Sequence, residues 1–181
     1  MSRLRVFNES DGTHAIVNTD EHAAIARELG KVGVCFERWQ ASAALTPGAD
    51  AETVIAAYRK DIDRLMREQG YQAVDVVSLN PDHPERAVLR QKFLEEHTHA
   101  EDEVRFFVAG QGLFTLHIKD KVYEVLCQQG DLISVPANTR HWFDMSERPY
   151  FIAIRLFTNP AGWVANFTGD KIAQRFPRFA A

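Results

Sequence analysis

The spacing of hydrophobic residues changes near the middle of this 181-residue chain. Between residues 51 and 69 the apolar positions recur three or four residues apart, which is the period of an amphipathic helix. Asp50 stands where an N-cap is expected, and Gly70 stands where such a helix ends. This pattern predicts one helix over 51–69 that packs through a single apolar stripe. The stripe consists of Val54, Ile55, Tyr58, Ile62, Leu65 and Met66.

The rest of the N-terminal half is predicted to alternate between strands and helices. A helix capped by Thr19 or Asp20 is expected to run through Leu29 and end at Gly30. A short helix is expected after the turn at residues 80–84, with Pro84 in its first turn. Predicted strands occupy part of 3–17, then 32–39 and 74–79.

From residue 105 onward the chain consists of short apolar stretches separated by turn signals, such as Gly110-Gln111-Gly112 and Pro136-Ala137-Asn138. Regularly spaced strands of this kind are typical of an antiparallel sandwich or barrel. An aromatic-rich segment over 163–176 is expected to cover that barrel. The predicted strands are 105–109, 113–118, 122–127, 132–135, 141–143 and 151–157.

A cluster of polar residues precedes the first of these strands. His97 and His99 are two residues apart, so they share one face of an extended chain. Glu103 and Arg105 have the same parity and join that face if the strand resumes its register after a short turn. Two imidazoles and one carboxylate that converge are typical ligands of a first-row metal ion. The alternative is a solvent-exposed polar loop between two apolar strands.

His141 is the candidate for one further ligand. Gly130 turns the chain, a strand follows, Pro136 ends that strand, and His141 begins the next one. Antiparallel pairing can bring His141 beside the first cluster. Alone it would be interpreted as a half-buried structural histidine, but a histidine–carboxylate cluster needs another donor, which favours the ligand.

Composition limits the classes of partner. The net charge of −4 and the isoelectric point near 6.0 give no electrostatic signal for nucleic acid or an anionic membrane. No apolar run approaches membrane-spanning length, and a cytoplasmic protein is expected. Cys35 and Cys127 both lie in apolar stretches, so buried free thiols are favoured over a disulfide or a soft-metal pair.

Two segments resemble the two motifs of the cupin superfamily. The first motif is met at His97, His99, Glu103 and Gly110, while Gln91 replaces its first glycine. This departure concerns turn geometry and leaves the ligand positions intact.

The second cupin motif is met at Gly130, Pro136 and His141. Asn138 replaces its internal glycine, and Met145 replaces its asparagine. Asparagine can also adopt a left-handed conformation, so the first change is tolerable.

A narrower resemblance extends from about residue 30 to the C-terminus. Over this range the chain resembles the bacterial acireductone dioxygenase family, and such coverage is far more specific than the cupin motifs. The segments that carry it are Phe36–Trp39, Ala51–Ile55, Lys92–His99, Glu101–Val108, Gly112–Phe114 and His141–Met145.

The resemblance implies a mainly β fold with α-helices. The expected architecture is a cupin, an antiparallel double-stranded β-helix or jelly-roll barrel, with N-terminal helices packed outside. One cupin domain would span 1–181. It would comprise a helix and strand part over 1–94, a metal-binding barrel core over 95–158 and a C-terminal cap over 159–181.

The resemblance also implies an enzyme of methionine salvage. Its substrates would be the acireductone 1,2-dihydroxy-3-keto-5-methylthiopentene and O2. With Fe2+ the family yields formate and 2-keto-4-methylthiobutyrate, and with Ni2+ it yields carbon monoxide, formate and 3-methylthiopropionate. We expect one Fe2+ or Ni2+ per chain, no organic cofactor, no nucleic-acid or membrane partner, and a monomer.

The expected metal ligands are His97, His99, Glu103 and His141. Three neutral imidazoles and one carboxylate leave a divalent ion with a single net positive charge and, in octahedral geometry, two open positions for a bidentate enediolate. Arg105 could stabilise the substrate dianion, and the alternative for it is a surface arginine.

Glu96 and Asp102 have the opposite parity from the ligands. The resemblance suggests roles for them in metal acquisition and in relaying conformational change. From their chemistry they could equally accept hydrogen bonds behind the ligands or be solvated acids. His117 is expected to face away from the metal.

Three further residues were open to two interpretations. Phe107 and Phe143 could form an apolar wall around the methylthio tail or could belong to the core. Arg155 interrupts an apolar strand and is either an edge residue in water or a second cation of the pocket.

Two other function classes also fit the motifs. The first is another cupin dioxygenase or an isomerase that uses the same ligands. The second is a metal-dependent small-molecule sensor, although the chain has no helix-turn-helix pattern or basic patch for an attached DNA-binding function.

Overall fold

One long strand, β6 (Glu103–Ile118), joins two antiparallel sheets. The computed structural model describes residues 1–180. The other strands are β1 (Arg3–Asn8), β2 (Val17–Thr19), β3 (Cys35–Arg38), β4 (Ala73–Leu79), β5 (His97–Thr98), β7 (Lys121–Gln128), β8 (Asp131–Val135), β9 (Arg140–Asp144), β10 (Phe151–Phe157) and β11 (Asn166–Phe167). The helices are α1 (His22–Gly30), α2 (Ala51–Ala57), α3 (Arg59–Gln69) and α4 (Arg86–Leu94), and a short 3-10 helix covers Ile172–Arg175.

Strand β6 changes partners along its length. Its first half pairs with β10 and β8, and its second half pairs with β7 and β9. One sheet therefore has the order β4-β10-β6-β8-β3, and the other has the order β11-β5-β9-β6-β7-β1-β2. The expected mainly antiparallel β fold is confirmed. The N-terminal part does more than pack outside, because β1, β3 and β4 extend the sheets.

Gly110 lies where β6 passes from one sheet to the other. It has φ +67°, a value that L side chains rarely adopt. A side chain there would also collide with the carbonyl of Tyr150. The turn expected at Gly110-Gln111-Gly112 is therefore wrong, because glycine lets the strand bend and continue.

Alternate residues of β6 face two different cores. Phe106 and Val108 lie against α2 and α3 and share a cluster with Val54 and Ile62. Phe107 belongs to the cluster between the two sheets. The same face of β6 carries Glu103 and Arg105, so its odd-numbered residues point toward the interior where the polar site lies.

The predicted helix over 51–69 is interrupted at Tyr58. This residue has φ −114° and ψ 19°, outside the helical region. Its hydroxyl accepts a hydrogen bond from the N–H of Ala43 at 3.2 Å, and its ring packs edge-on against Phe106. These contacts hold Tyr58 where the chain turns between α2 and α3. The caps are confirmed: Asp50 accepts from the N–H of Thr53, and Gly70 is left-handed.

Other local predictions need correction. The N-cap of α1 is Glu21, which follows both Thr19 and Asp20. Helix α4 begins at Arg86, so Pro84 precedes the helix.

Cys35 is exposed, and Cys127 is the only one of the two cysteines that is buried. The cause lies in β3, where Phe36 takes the inward position and its neighbour Cys35 therefore faces outward. Both thiols are free, as expected.

The C-terminal segment packs against the outer face of one sheet. Ile172, Ala173 and Phe176 form a cluster with Phe7 and Trp142. Ala181, the last residue of the cap expected over 159–181, lies outside the described residues. Within 1–180, no helix combines the length and the hydrophobicity needed to cross a membrane.

Candidate metal centre

Three imidazoles meet between β5, β9 and the end of β6. His97 on β5 pairs directly with His141 on β9, and His99 follows β5. One ring nitrogen of each lies within 4.8 Å of the others, and all three side chains are buried. The pairing of two very short segments thus brings together histidines that are 44 positions apart in the numbering.

Each histidine is oriented by its own backbone contact. Nδ1 of His97 donates to the carbonyl of Glu95 at 2.7 Å. Nδ1 of His141 donates to the carbonyl of Thr139 at 2.8 Å, and Nδ1 of His99 to that of Val164 at 3.1 Å. With Nδ1 protonated, the lone pair is on Nε2, which is the arrangement that metal-binding histidines use.

Glu103 adds a carboxylate to this group. Its Oε2 lies 3.4 Å from His99 Nε2 and 4.0 Å from His141 Nε2. Oε2 and both of these nitrogens are buried and have no hydrogen-bond partner among the described residues. Buried polar atoms without partners are costly, and a cation among these acceptors would satisfy them together. The donor set therefore fits a divalent first-row metal ion.

Electrostatics favour the protonation states that metal binding needs. Burial lowers the pKa of His97 to about 4 and that of His141 to about 3, and it lowers the pKa of His99 as well. Burial alone would raise the pKa of Glu103, but the positive charge of Arg105 overcomes this effect and the pKa falls to about 2. At neutral pH the site has three neutral imidazoles and one carboxylate.

Arg105 lies on the inner face, as its parity predicts. Its Nε and Nη2 donate to the same oxygen of Glu103, Oε1, at 3.1 and 2.8 Å. Its guanidinium carbon lies 4.8 Å from the ring centres of both Phe114 and Phe143. Arg105 is thus a buried cation that touches the metal-facing carboxylate.

Arg155 is a second cation of the same region. It pairs with Arg105 in the register of β10 and β6, and its guanidinium donates to both carboxylate oxygens of Asp75 on β4. The structure therefore favours the pocket over the edge of the sheet for Arg155.

A cavity of about 320 Å³ is lined by His97 and His99 and by both arginines. Its apolar wall is formed by Val77, Leu79, Leu89 and Phe93. Trp163, Lys92 and His83 also line it, and His83 is half-buried. Phe107 and Phe143 are fully buried in the core and do not line this cavity.

A known protein family matches most of the chain. A family model described as the ARD/ARD' family matches residues 3–165. The chain belongs to this family.

Curated relatives extend over nearly the full chain. The chain is 68% identical over 180 residues to an acireductone dioxygenase of Pseudomonas syringae pv. syringae (strain B728a), covering 98% of each protein. It is 60% identical over 179 residues to an acireductone dioxygenase of Stenotrophomonas maltophilia (strain K279a), covering 99% of this chain and 97% of that one.

A solved structure supports the fold. The acireductone dioxygenase from Bacillus anthracis, described with a cadmium ion in its active center, superposes with a TM-score of 0.79. The two chains are 31% identical, and the match covers 92% of this chain and 98% of the Bacillus anthracis chain. Membership of the ARD/ARD' family confirms the expected cupin fold and the expected enzyme class, a metal-dependent dioxygenase.

In this member of the ARD/ARD' family, Glu96 and Asp102 point away from the histidines. Both oxygens of Glu96 accept hydrogen bonds, one from His117 Nδ1 at 2.7 Å and one from Thr168 Oγ1 at 2.8 Å. Asp102 accepts from the N–H of Ala137 at 2.7 Å. Their parity predicted this outward direction, and their contacts are with the supporting structure.

Several contacts of the site could not be found by sequence reasoning. Asp75 occupies an ordinary alternate position of β4 and is 80 residues from Arg155. The segment around Val164 and Phe167 supplies a carbonyl to His99 and a ring beside His97, at 5.8 Å between centres. The only signal in the sequence was the aromatic richness of 163–176.

Proposed function

We propose that this protein cleaves the acireductone 1,2-dihydroxy-3-keto-5-methylthiopentene with O2, as a step of methionine salvage. The observation that carries the proposal is the convergence of partnerless, buried acceptors on His99, His141 and Glu103, beside a cavity that is lined by His97, His99 and two arginines. An anionic, oxygen-rich head and an apolar tail match the charged and the apolar residues that line this cavity.

We assign the metal to His97, His99, Glu103 and His141, with one Fe2+ or Ni2+ per chain. When bound, the ion supplies a Lewis-acidic centre with open positions for the two oxygens of an enediolate. All four proposed ligands come from one chain, which supports a monomer as the working unit. The cytoplasmic location expected from the sequence stays a prediction.

Arg105 is proposed to bind and stabilise the substrate dianion. Two of its five N–H groups hold Glu103, and the residue also lines the cavity. In a buried site a fixed cation favours the doubly ionised enediol over the singly ionised one. The charge of Arg155, held by Asp75, reinforces this preference from the neighbouring strand.

The apolar end of the cavity is proposed to bind the methylthio tail. Val77, Leu79, Leu89 and Phe93 exclude water from this end, and the tail places the head toward His97 and His99. Glu96 and Asp102 are proposed to support the site from behind, through the contacts described above.

The identity of the bound metal is proposed to determine which products form. With Fe2+ we expect 2-keto-4-methylthiobutyrate and formate, and with Ni2+ we expect 3-methylthiopropionate, formate and carbon monoxide. Both product sets contain all the atoms of the substrate and one O2.

The test is product analysis of the apo-protein reloaded separately with Fe2+ and Ni2+ and given the acireductone under O2. Consumption of O2 with keto acid from the iron form and carbon monoxide from the nickel form supports the proposal. Product formation without O2 consumption would indicate an isomerase. Metal binding without any metal-dependent turnover would contradict the enzyme and favour the sensor.

A further inference from the structure

His97 is held by less sheet structure than the other ligand histidine on a strand. Strand β5 has two residues, pairs with β9 only through His97 and His141, and has on its other side only the two-residue strand β11. His141 lies on a five-residue strand, and its ring stacks on Phe114. These two short ladders give β5 few backbone contacts, so its side-chain contacts contribute strongly to its position.

Glu96 supplies that fixed point from the opposite face of the strand. It directly precedes His97, and its side chain is 1% exposed. His117 on β6 donates to one of its carboxylate oxygens and Thr168 donates to the other. The carbonyl of Glu96 also accepts from the N–H of Thr168 at 3.1 Å. One carboxylate thus connects β5, the central strand and the segment that carries Phe167 over His97.

His117 makes this buried carboxylate tolerable. Its Nδ1 faces Glu96, and its Nε2 lies 2.9 Å from Oε2 of Glu9. A ring with a carboxylate oxygen at each nitrogen donates from both and is an imidazolium. The bond from Nδ1 satisfies one oxygen of this buried carboxylate, and without it that oxygen would be buried with no donor.

We infer that His117 is a positioning residue for the metal ligand His97, acting through Glu96. This inference rests on the metal site proposed above. It assigns a function to a histidine that faces away from the metal and touches neither substrate nor ion. If it holds, the contact with Glu96 sets the metal affinity, and the contact with Glu9 contributes to stability alone.

Two substitutions separate the contacts of His117. His117→Asn places an amide N–H near the position of Nδ1 and can keep the bond to Glu96. His117→Gln places it near the position of Nε2 and keeps only the bond to Glu9. His14→Asn and His14→Gln are matched controls, because His14 is exposed and its contacts are local.

The experiment measures Co2+ affinity and the visible absorption spectrum of the Co2+ form for the full-length apo-protein. We expect His117→Gln to weaken Co2+ binding about tenfold or more and to change the spectrum, and His117→Asn to stay within about threefold of wild type. Equal weakening in both variants, in proportion to their loss of thermal stability, would overturn the inference, as would unchanged binding in His117→Gln.

Two further measurements keep the result interpretable. If His117→Gln does not fold, Thr168→Val removes one donor from Glu96 at nearly constant volume. It should weaken Co2+ binding by about threefold or more, and unchanged binding would contradict the role of Glu96 in positioning His97. Failure of the metal site itself is distinguishable, because wild type would then bind no Co2+ and His97→Ala would change nothing.

Discussion

Arg105 binds one oxygen of the Glu103 carboxylate and leaves the other oxygen facing the histidines. Both donor nitrogens of Arg105 contact Oε1, so Oε2 is left facing His99 and His141. The two residues are adjacent inward positions of β6, and Phe114 and Phe143 pack against the guanidinium. One ion pair therefore orients a proposed metal ligand and places a cation beside the cavity.

Replacing Arg105 should reduce turnover much more than metal content. Arg105→Ala removes the cation proposed to stabilise the dianion, and we expect kcat/KM to fall by about 100-fold or more. Glu103 loses the donors to its Oε1, but its Oε2 still faces the histidines, so about one metal per chain should be retained. Steady-state kinetics and metal analysis check this.

Arg59 provides the control for that experiment. It is exposed on α3, and Arg59→Ala should change neither quantity. Full activity of Arg105→Ala would remove the proposed role, and loss of metal would show that the arginine serves chiefly to hold Glu103.

Removing a ligand histidine should abolish metal retention. His97→Ala and His141→Ala each delete one of the converging nitrogens, and we expect the affinity for Ni2+ to fall by about 100-fold or more. Metal content after dialysis and calorimetric titration measure the effect. His22→Ala is a suitable comparison because this histidine lies on α1, outside the cluster. Normal metal content in both ligand variants would refute the assignment.

The convergence of the proposed ligands could be predicted because strand geometry is simple. Alternation places Glu103 and Arg105 on one face, and turn residues place His141 at the start of a strand. The cavity wall could not be predicted in the same way. It combines Val77 of β4 with Leu89 of α4, and nothing in their local sequence indicates that these elements meet.

The errors in the predicted secondary structure also arise from contacts between residues that are distant in sequence. The break at Tyr58 depends on Ala43 and Phe106, both distant in sequence, whereas the helical period continues through it. The continuity of β6 depends on whether Gly110 ends a strand or bends it, and its sequence context fits both. Long-range packing decided these two cases, and local propensity could not.

The apo-protein should lose stability as the pH falls below about 6.5. His97 and His141 have pKa values of about 4 and 3 in the folded chain, below the ordinary value of 6.5. Below pH 6.5 the unfolded chain takes up protons that the folded chain does not. Each histidine then costs up to about 1.4 kcal/mol of unfolding free energy per pH unit, until its folded pKa is reached.

Urea unfolding of the apo-protein between about pH 7.5 and 4.5 tests this dependence. Carboxylates also titrate in the lower part of that range, so the informative quantity is the difference from His141→Gln. The variant should show a shallower loss, because one of the two buried histidines is gone. Identical slopes would contradict the lowered pKa of His141.

The contribution of His117 to stability should change with pH in the opposite direction. Burial opposes its charge, but Glu96 and Glu9 raise its pKa in the folded chain above the ordinary value. Its stabilising contribution is therefore complete below pH 6.5 and is lost as the pH rises through the folded pKa. Compared with wild type, His117→Asn should flatten the decline in unfolding free energy on the alkaline side. Equal slopes above pH 6.5 would contradict this pKa shift.

Arg155 should affect substrate binding more than metal binding. Its guanidinium is fixed by both oxygens of Asp75, and it borders the cavity beside Arg105 without contacting a proposed ligand. Arg155→Ala removes one of two cations near the enediolate, so KM should rise by about tenfold while Co2+ affinity stays unchanged. Asp75→Asn keeps the charge of Arg155 but removes the carboxylate that fixes the position of its guanidinium. We expect a smaller rise in KM for that variant, and an unchanged KM for Arg155→Ala would place Arg155 among the residues that only stabilise the sheet.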